Sequence, residues 1–180
     1  GYQLVMVLLM LVAPAIPGAL AGLLAWPIEK LISELYFRDA QRILRNRPDL
    51  IKIGITGSYG KTSTKFCLQA ILSVKYNVYA PKSSINTPMG LSKVINEDLT
   101  DAHQVFIAEM GARHVGDIRE LVELVHPRYG VLTSVGPQHL ETFGDVKTVA
   151  NTQIELIEGL PRNGGGIFAA DDGEVDKLYE

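Results

Sequence analysis

The sequence predicts an α/β fold, a mostly parallel sheet with helices on both faces, preceded by a transmembrane helix. Three observations predict it. From Ile51 onward, short apolar runs alternate with stretches of helical period, as in a parallel sheet built from strand–helix units. A glycine-rich loop, "ITGSYGKTST" from Ile55 to Thr64, joins the first run to the first helical stretch. Ahead of both, residues 1–28 carry no charged side chain, and Glu29 is the first.

The uncharged segment, residues 1–27, is expected to be a transmembrane segment. Leu4 to Trp26 reads "LVMVLLMLVAPAIPGALAGLLAW", and a bilayer core needs about 20 apolar residues in a helix. Pro14 and Pro17 would kink it, which membrane helices tolerate, and Trp26 stands where an interfacial aromatic belongs. Two other readings of the run remain open. A secretory signal could be cut near Ala19–Ala21, although the run exceeds the usual apolar core of about 7–15 residues and has no basic start. A buried core helix is the other. Lys30, Arg38, Arg42, Arg45 and Arg47 outnumber Glu29, Glu34 and Asp39 after the run. That bias predicts a cell-membrane location with the following domain on the cytoplasmic side, the lipid bilayer being a partner. Residues 28–47 are expected to hold an amphipathic juxtamembrane helix, since Ile28, Leu31, Ile32, Leu35, Tyr36, Ile43 and Leu44 follow helical spacing.

Residues 48–180 form the expected domain. "IKIGIT" (51–56) reads as a strand and "KTSTKFCLQAILSVK" (61–75) as the helix after the loop. "NVYA" (77–80) is a short strand, and "PMGLSKVINED" (88–98) a helix with Pro88 at its first position. "QVFIAEM" (104–110) is a buried strand, "GDIRELVELVH" (116–126) a helix stopped by Pro127, and "YGVLTSV" (129–135) a strand. "DVKTVANTQIELIEGL" (145–160) is a helix stopped by Pro161, and "GGIFAA" (165–170) a last strand. In such sheets ligands gather at the carboxyl ends of the strands. The loop, Glu109 and His139 are therefore expected at one edge.

Composition narrows the function classes. With 17 Lys and Arg against 20 Asp and Glu the net charge is −3, so no basic surface for nucleic acid is expected. A single cysteine, Cys67, excludes an internal disulfide framework and reads as a small core residue. His103, His114 and His126 read as surface or loop residues.

The chemistry sits in the loop. Gly57 and Gly60 allow backbone N–H groups to turn toward an anion, with Ser58 and Ser63 beside them. Lys61 supplies a point charge for the β- and γ-phosphates of ATP, and the Thr62 hydroxyl can reach Mg²⁺. The next helix adds its positive N-terminus. The usual G-x-x-x-x-G-K-[ST] pattern wants a glycine where Ile55 stands, so the loop departs from the common kinase form. Glu109, at the end of a strand, is a candidate Mg²⁺ ligand. His139 in "GPQHLE" is a candidate ligand or a loop residue.

Four segments carry a resemblance. "GITGSYGKTST" resembles the T-G-[ST]-x-G-K-[ST] loop of the Mur ligases, and "SSINTPMGLS" their asparagine-bearing segment. "IAEMGARHVGDI" and "HPRYGVLTSVGPQHLETFGDVKTVA" resemble stretches of the branch of that family that adds D-alanyl-D-alanine. The likeness runs from about Ile51 to Asp172, in order and at matching spacing. It implies an ATP-dependent ligase of peptidoglycan precursor synthesis. Such an enzyme activates a substrate carboxylate as an acyl phosphate and lets an amine displace the phosphate. The substrates implied are a UDP-muramoyl peptide and D-Ala-D-Ala, the cofactors ATP and Mg²⁺. By the same resemblance Lys61 and His139 are catalytic. Gly57, Ser58, Gly60, Lys61, Thr62 and Ser63 hold the nucleotide, Asn86 and Thr87 meet the substrate, and Thr62, Glu109 and His139 hold metal.

Three departures stand against the family pattern. Gln153 occupies the place of a lysine that the family carbamylates; a neutral amide offers an oxygen without the charge, so a second Mg²⁺ should bind more weakly, and Gln153→Lys would supply the missing group. Ala169 stands where an asparagine is frequent. A membrane segment replaces the first of the family's three domains and the third is absent, so the chain is expected to be a fragment, inactive on its own. Two alternatives stay open: a non-catalytic, membrane-tethered nucleotide binder, and a ligase for a different amine.

Overall fold

In the computed structural model, residues 1–3, 6, 15–169, 172, 173 and 175 are described. The chain divides into two units, Gly1–Tyr36 and Phe37–Glu180. Helix α1, Ala15–Arg45, runs through the boundary between them and has Pro27 inside it. In the first unit Leu23, Trp26, Ile28, Leu31, Ile32 and Leu35 are exposed, and the Lys30 ammonium lies 5.7 Å from the centre of the Trp26 ring.

The expected membrane organisation is corrected here. Residues 4, 5 and 7–14 of the proposed span lie outside the described residues. Among those described, no helix is long and apolar enough to cross a membrane. The cell-membrane location is therefore withdrawn, and the described residues give no support to the lipid bilayer as a partner; the transmembrane segment expected at 1–27 falls in part on residues outside those described. The helix expected over 28–47 falls within α1, which ends at Arg45.

The second unit is a five-stranded, all-parallel sheet in the order β2-β3-β1-β4-β5. Its strands are β1 Ile51–Thr56, β2 Val78–Tyr79, β3 Val105–Glu109, β4 Tyr129–Leu132 and β5 Gly165–Phe168. Its helices, after the end of α1, are α2 Lys61–Leu72, α3 Pro88–Glu97, α4 Asp117–Val125, α5 Leu140–Phe143 and α6 Val146–Glu158. All five residues of β3 are buried, as an unalternating apolar run predicts for a strand covered on both faces.

Both faces of the sheet are covered. On one, Phe106, Ala108 and Met110 pack with Ala40 and Leu44 of α1, Leu91 of α3, Leu121 and Leu124 of α4, and Leu156 of α6. On the other, Ile53, Ile55, Val105 and Ile107 meet Leu68 and Leu72 of α2. Truncating a fully buried leucine such as Leu121 to alanine would cost about 2–5 kcal/mol. Thr87 caps α3 by accepting from the Gly90 N–H at 3.3 Å, with Pro88 at its first position, and Asp145 caps α6 by accepting from Thr148 N–H.

Two details differ from the sequence reading, and both bear on the site. The strand expected over 129–135 stops at Leu132, because Thr133 and Ser134 turn their hydroxyls toward the glycine-rich loop. Cys67 is exposed on α2 rather than placed in the core.

Candidate nucleotide site

The β1, β3 and β4 strands end at Thr56, Glu109 and Leu132, and their parallel register brings these ends to one edge. The loop from Gly57 to Gly60 leaves β1 there and opens α2. Gly57 has φ +138°, and a Cβ on it would stand 2.1 Å from Thr133 Oγ1 and 2.9 Å from Ser134 N. Only glycine fits that approach. Gly60 caps α2 at φ 81° with no side-chain cap, which leaves the first N–H groups of the helix available to an anion.

Residues after β4 grip the loop. Ser58 N–H donates to Ser134 O at 2.8 Å, Tyr59 N–H to Ser134 Oγ at 2.8 Å, and Thr133 Oγ1 to Tyr59 O at 2.7 Å. Ser58 is buried, and its hydroxyl accepts from Gly136 N–H at 2.9 Å. Its hydroxyl thus serves as a clip inside the protein, while Ser63 is exposed on the rim.

Lys61 folds back on the loop, donating to Gly57 O and, at 3.3 Å, to Ser58 O. Burial holds its pKa below the usual lysine range, partly opposed by the charge of Glu109. An ammonium desolvated in this way, with only carbonyl partners, is ready to exchange them for phosphate oxygens.

Glu109 is almost wholly buried at 1 % exposure. Thr62 Oγ1 lies 3.0 Å from both its oxygens and 3.3 Å from Ser84 Oγ. A carboxylate and a hydroxyl oxygen so close together form a hard donor pair that suits Mg²⁺ and can take water and phosphate oxygens as its remaining ligands. Lys65, one helical turn beyond Lys61, is 0 % exposed and places Nζ 3.1 Å from Glu109 Oε2. Sequence reasoning missed it. The available signal was its place four residues after the loop lysine, on the same face of α2.

Two neighbouring hollows share Lys61 and Asn86. One, of about 370 Å³, is lined by the loop, Thr62, Ser63, Ser84 and Glu109. The other, of about 460 Å³, is lined by Thr87, Gly111, Arg113, His114, Asp117, Gln138 and His139. Asn86 joins their walls, its carbonyl accepting from Gly111 N–H at 3.0 Å. Arg113, His114 and Gln138 are further lining residues that the sequence reading left unassigned. Asp117 shapes that wall by accepting from the Arg113 and His114 N–H groups at 2.7 and 2.8 Å.

The remaining two expected residues lie apart from the Thr62–Glu109 pair. His139 stands on the wall of the larger hollow at a left-handed φ of 54°, its Nδ1 3.6 Å from Glu141. Among the described residues no group of three or more His, Cys, Asp or Glu is gathered to hold a metal. Gln153 is buried beneath the loop, where its Oε1 accepts from Thr56 Oγ1 and, at 3.0 Å, from Gly57 N–H. A backbone N–H can only donate, so the amide orientation is fixed by the loop.

Comparison with known proteins agrees with the fold. A family profile described as the Mur ligase middle domain matches residues 55–180. The chain is 41% identical over 123 residues to the UDP-N-acetylmuramoyl-tripeptide–D-alanyl-D-alanine ligase of Mycobacterium bovis, covering 68% of this chain and 24% of that protein. It is 30% identical over 164 residues to the Escherichia coli ligase of the same name, covering 87% and 36%. A crystal structure of MurF ligase from Thermotoga maritima in complex with ADP superposes with a TM-score of 0.75 at 32% identity, covering 81% of this chain and 34% of that one. A MurF structure from Acinetobacter baumannii gives 0.76 at 25% identity, covering 81% and 32%. The chain thus spans about a quarter to a third of the length of these relatives. With its fold, its loop and residues 55–180 all matching, the chain belongs to the Mur ligase family.

Proposed function

We propose that this chain is the ATP-binding part of a ligase that adds D-Ala-D-Ala to a UDP-muramoyl peptide in peptidoglycan precursor synthesis. The observation that carries the reading is the pair of hollows that meet at Lys61 and Asn86. One has phosphate-binding chemistry, and the other has room beside it for an acyl substrate. The ligase names of the relatives supply the substrates.

The reaction asks for two anions to meet. A substrate carboxylate oxygen attacks the γ-phosphorus of ATP, the bond to the β,γ-bridging oxygen breaks, and ADP leaves. The amine of D-Ala-D-Ala then attacks the acyl carbon, phosphate departs, and the amine loses a proton. Gly57, Ser58, Gly60 and Ser63 contribute the loop and its N–H groups, and Lys61 places its ammonium on the transferring phosphoryl group. Thr62 and Glu109 would hold Mg²⁺, whose charge shields the approach of carboxylate to phosphate. Asn86, Thr87 and His139 face the acyl substrate across the larger hollow, and His139 is the candidate ligand for a second ion. The test is product analysis with the full-length protein, ATP, UDP-muramoyl tripeptide and D-Ala-D-Ala. The expected result is ADP, phosphate and the extended peptide in equal amounts.

A second reading, a nucleotide binder that no longer ligates, is favoured by Gln153, an uncharged side chain already committed to the loop. It predicts nucleotide binding with no peptide product in the same assay.

A further inference from the structure

We infer that Lys65 makes the cation site conditional on nucleotide: its buried ammonium occupies Glu109 and keeps a free divalent ion out until polyphosphate fills the loop. This rests on the proposed reading of the loop as an ATP site.

The geometry is specific. Lys65 is 0 % exposed. Its ammonium donates to Ser83 O at 2.7 Å, pairs with Glu109 Oε2 at 3.1 Å, and lies 4.7 Å from the centre of the Phe66 ring. A carboxylate, a carbonyl and a ring face thus surround the charge, as a buried cation requires. Glu109 Oε2 is shared with the Thr62 hydroxyl at 3.0 Å, the oxygen expected to meet the metal.

Charge decides the order of binding. Lys61 and Glu109 line this hollow and the buried Lys65 pairs with Glu109 behind it, so the three charges sum to +1. A divalent ion arriving alone meets net repulsion in a poorly screened site, and must share its carboxylate with an ammonium about 3 Å away. The polyphosphate of ATP reverses the sign and brings its own oxygen ligands. Lys65 also ties the 83–86 turn to α2 through Ser83 O. That turn carries Ser84, whose hydroxyl is 3.3 Å from Thr62, and Asn86 on the wall of both hollows. The same ammonium therefore sets the charge of the site and the position of one of its walls.

The test uses Mn²⁺ as the probe, its free concentration read by electron paramagnetic resonance, with and without a non-hydrolysable ATP analogue. Wild-type chain should bind Mn²⁺ weakly alone and at least about tenfold more tightly with the analogue, within the usual range of site-to-site coupling. Lys65→Met should bind Mn²⁺ alone at least about tenfold more tightly than wild type, with most of the coupling gone. Lys65→Arg, which keeps the charge, should behave as wild type. Lys65→Gln, which keeps a donor for Ser83 O without the charge, should follow Lys65→Met and serves in its place if the methionine variant fails to fold. Equal Mn²⁺ affinity of wild type and Lys65→Gln without nucleotide would overturn the inference. Failure of wild type to bind the analogue at all would instead overturn the nucleotide reading, and the comparison with Mn²⁺ alone would still decide the role of Lys65.

Discussion

The Glu109 side of the site and the His139 side are built on different principles. Around Glu109 the charged pair is buried and each polar group has a partner: Lys65 and Thr62 reach the carboxylate at 3.1 and 3.0 Å, and the exposed Ser84 meets Thr62 at 3.3 Å. Around His139 the turn is held through its carbonyl, with Thr142 N–H, Phe143 N–H and the Thr142 hydroxyl each 3.0 Å from His139 O, while the ring Nδ1 lies 3.6 Å from Glu141. A phosphate end that is always the same can be met by fixed groups. A wall facing a larger substrate can stay open. The two sides should therefore fail differently when cut.

The largest difference is expected in stability. Glu109→Ala leaves the Lys65 ammonium buried without its counter-charge, and breaking such a pair from one side costs about 3–5 kcal/mol. Urea denaturation would show it as a lower midpoint at unchanged slope. Were Glu109→Ala to lose less than about 1 kcal/mol, water must enter the site, and the contrast with His139 disappears.

Next comes affinity. Lys61 donates its hydrogen bonds to loop carbonyls rather than to a carboxylate, so Lys61→Met should leave stability almost unchanged and weaken ATP binding about a hundredfold, some 2.7 kcal/mol. Titration with a fluorescent ATP analogue reads this directly. Equal loss of affinity in His139→Ala would mean that both sides hold the nucleotide.

How much of this was legible in the sequence follows from where the determining interactions lie. The strands and helices of the second unit were readable because each apolar run is bounded by Gly, Pro or a cap, as at Pro88, Pro127 and Pro161. The loop was readable because Gly57, Gly60 and Lys61 are neighbours in the chain. Lys65 was not, since its meaning depends on Glu109, forty-four positions later, arriving across the sheet. The shortening of β4 was hidden for the same reason: Thr133 and Ser134 favour a strand locally, and their bonds to Tyr59 override it. The apolar start, residues 1–27, falls in part on residues outside those described, so its reading rests on composition alone.

Gln153 sharpens the comparison from below the loop. From the resemblance alone, Gln153→Lys looks like a repair. The hydrogen bonds give the opposite expectation, because Oε1 accepts from two donors, Thr56 Oγ1 and Gly57 N–H. A lysine would leave the Gly57 backbone N–H unanswered, whereas the Thr56 hydroxyl can turn its proton to Met110 O at 3.2 Å. Unsatisfied buried donors cost about 1–3 kcal/mol, so Gln153→Lys should lower stability by roughly 2 kcal/mol and weaken nucleotide binding with it. Gln153→Glu, which keeps an acceptor oxygen, should lose less. Thermal melts of the two variants at neutral pH separate the cases. A stable, tighter-binding lysine variant would mean that the loop does not depend on this amide.

The smallest effect is expected at His139, and its sign is informative. A non-glycine residue at φ 54° carries strain of about 1 kcal/mol. The ring returns little, since its nearest charge is on an exposed glutamate. His139→Gly should therefore raise stability by a few tenths of a kcal/mol, the relief of strain being partly offset by the greater freedom of glycine in the unfolded chain. His139→Ala should be neutral within about 0.5 kcal/mol. The urea midpoints of the two variants measure this. If either loses more than about 1.5 kcal/mol, the turn depends on the ring and the two sides of the site are alike. If neither does, the turn holds a strained histidine that the fold does not need, on the wall of the larger hollow, and a contribution to ligand contact is the remaining physical reason for its position.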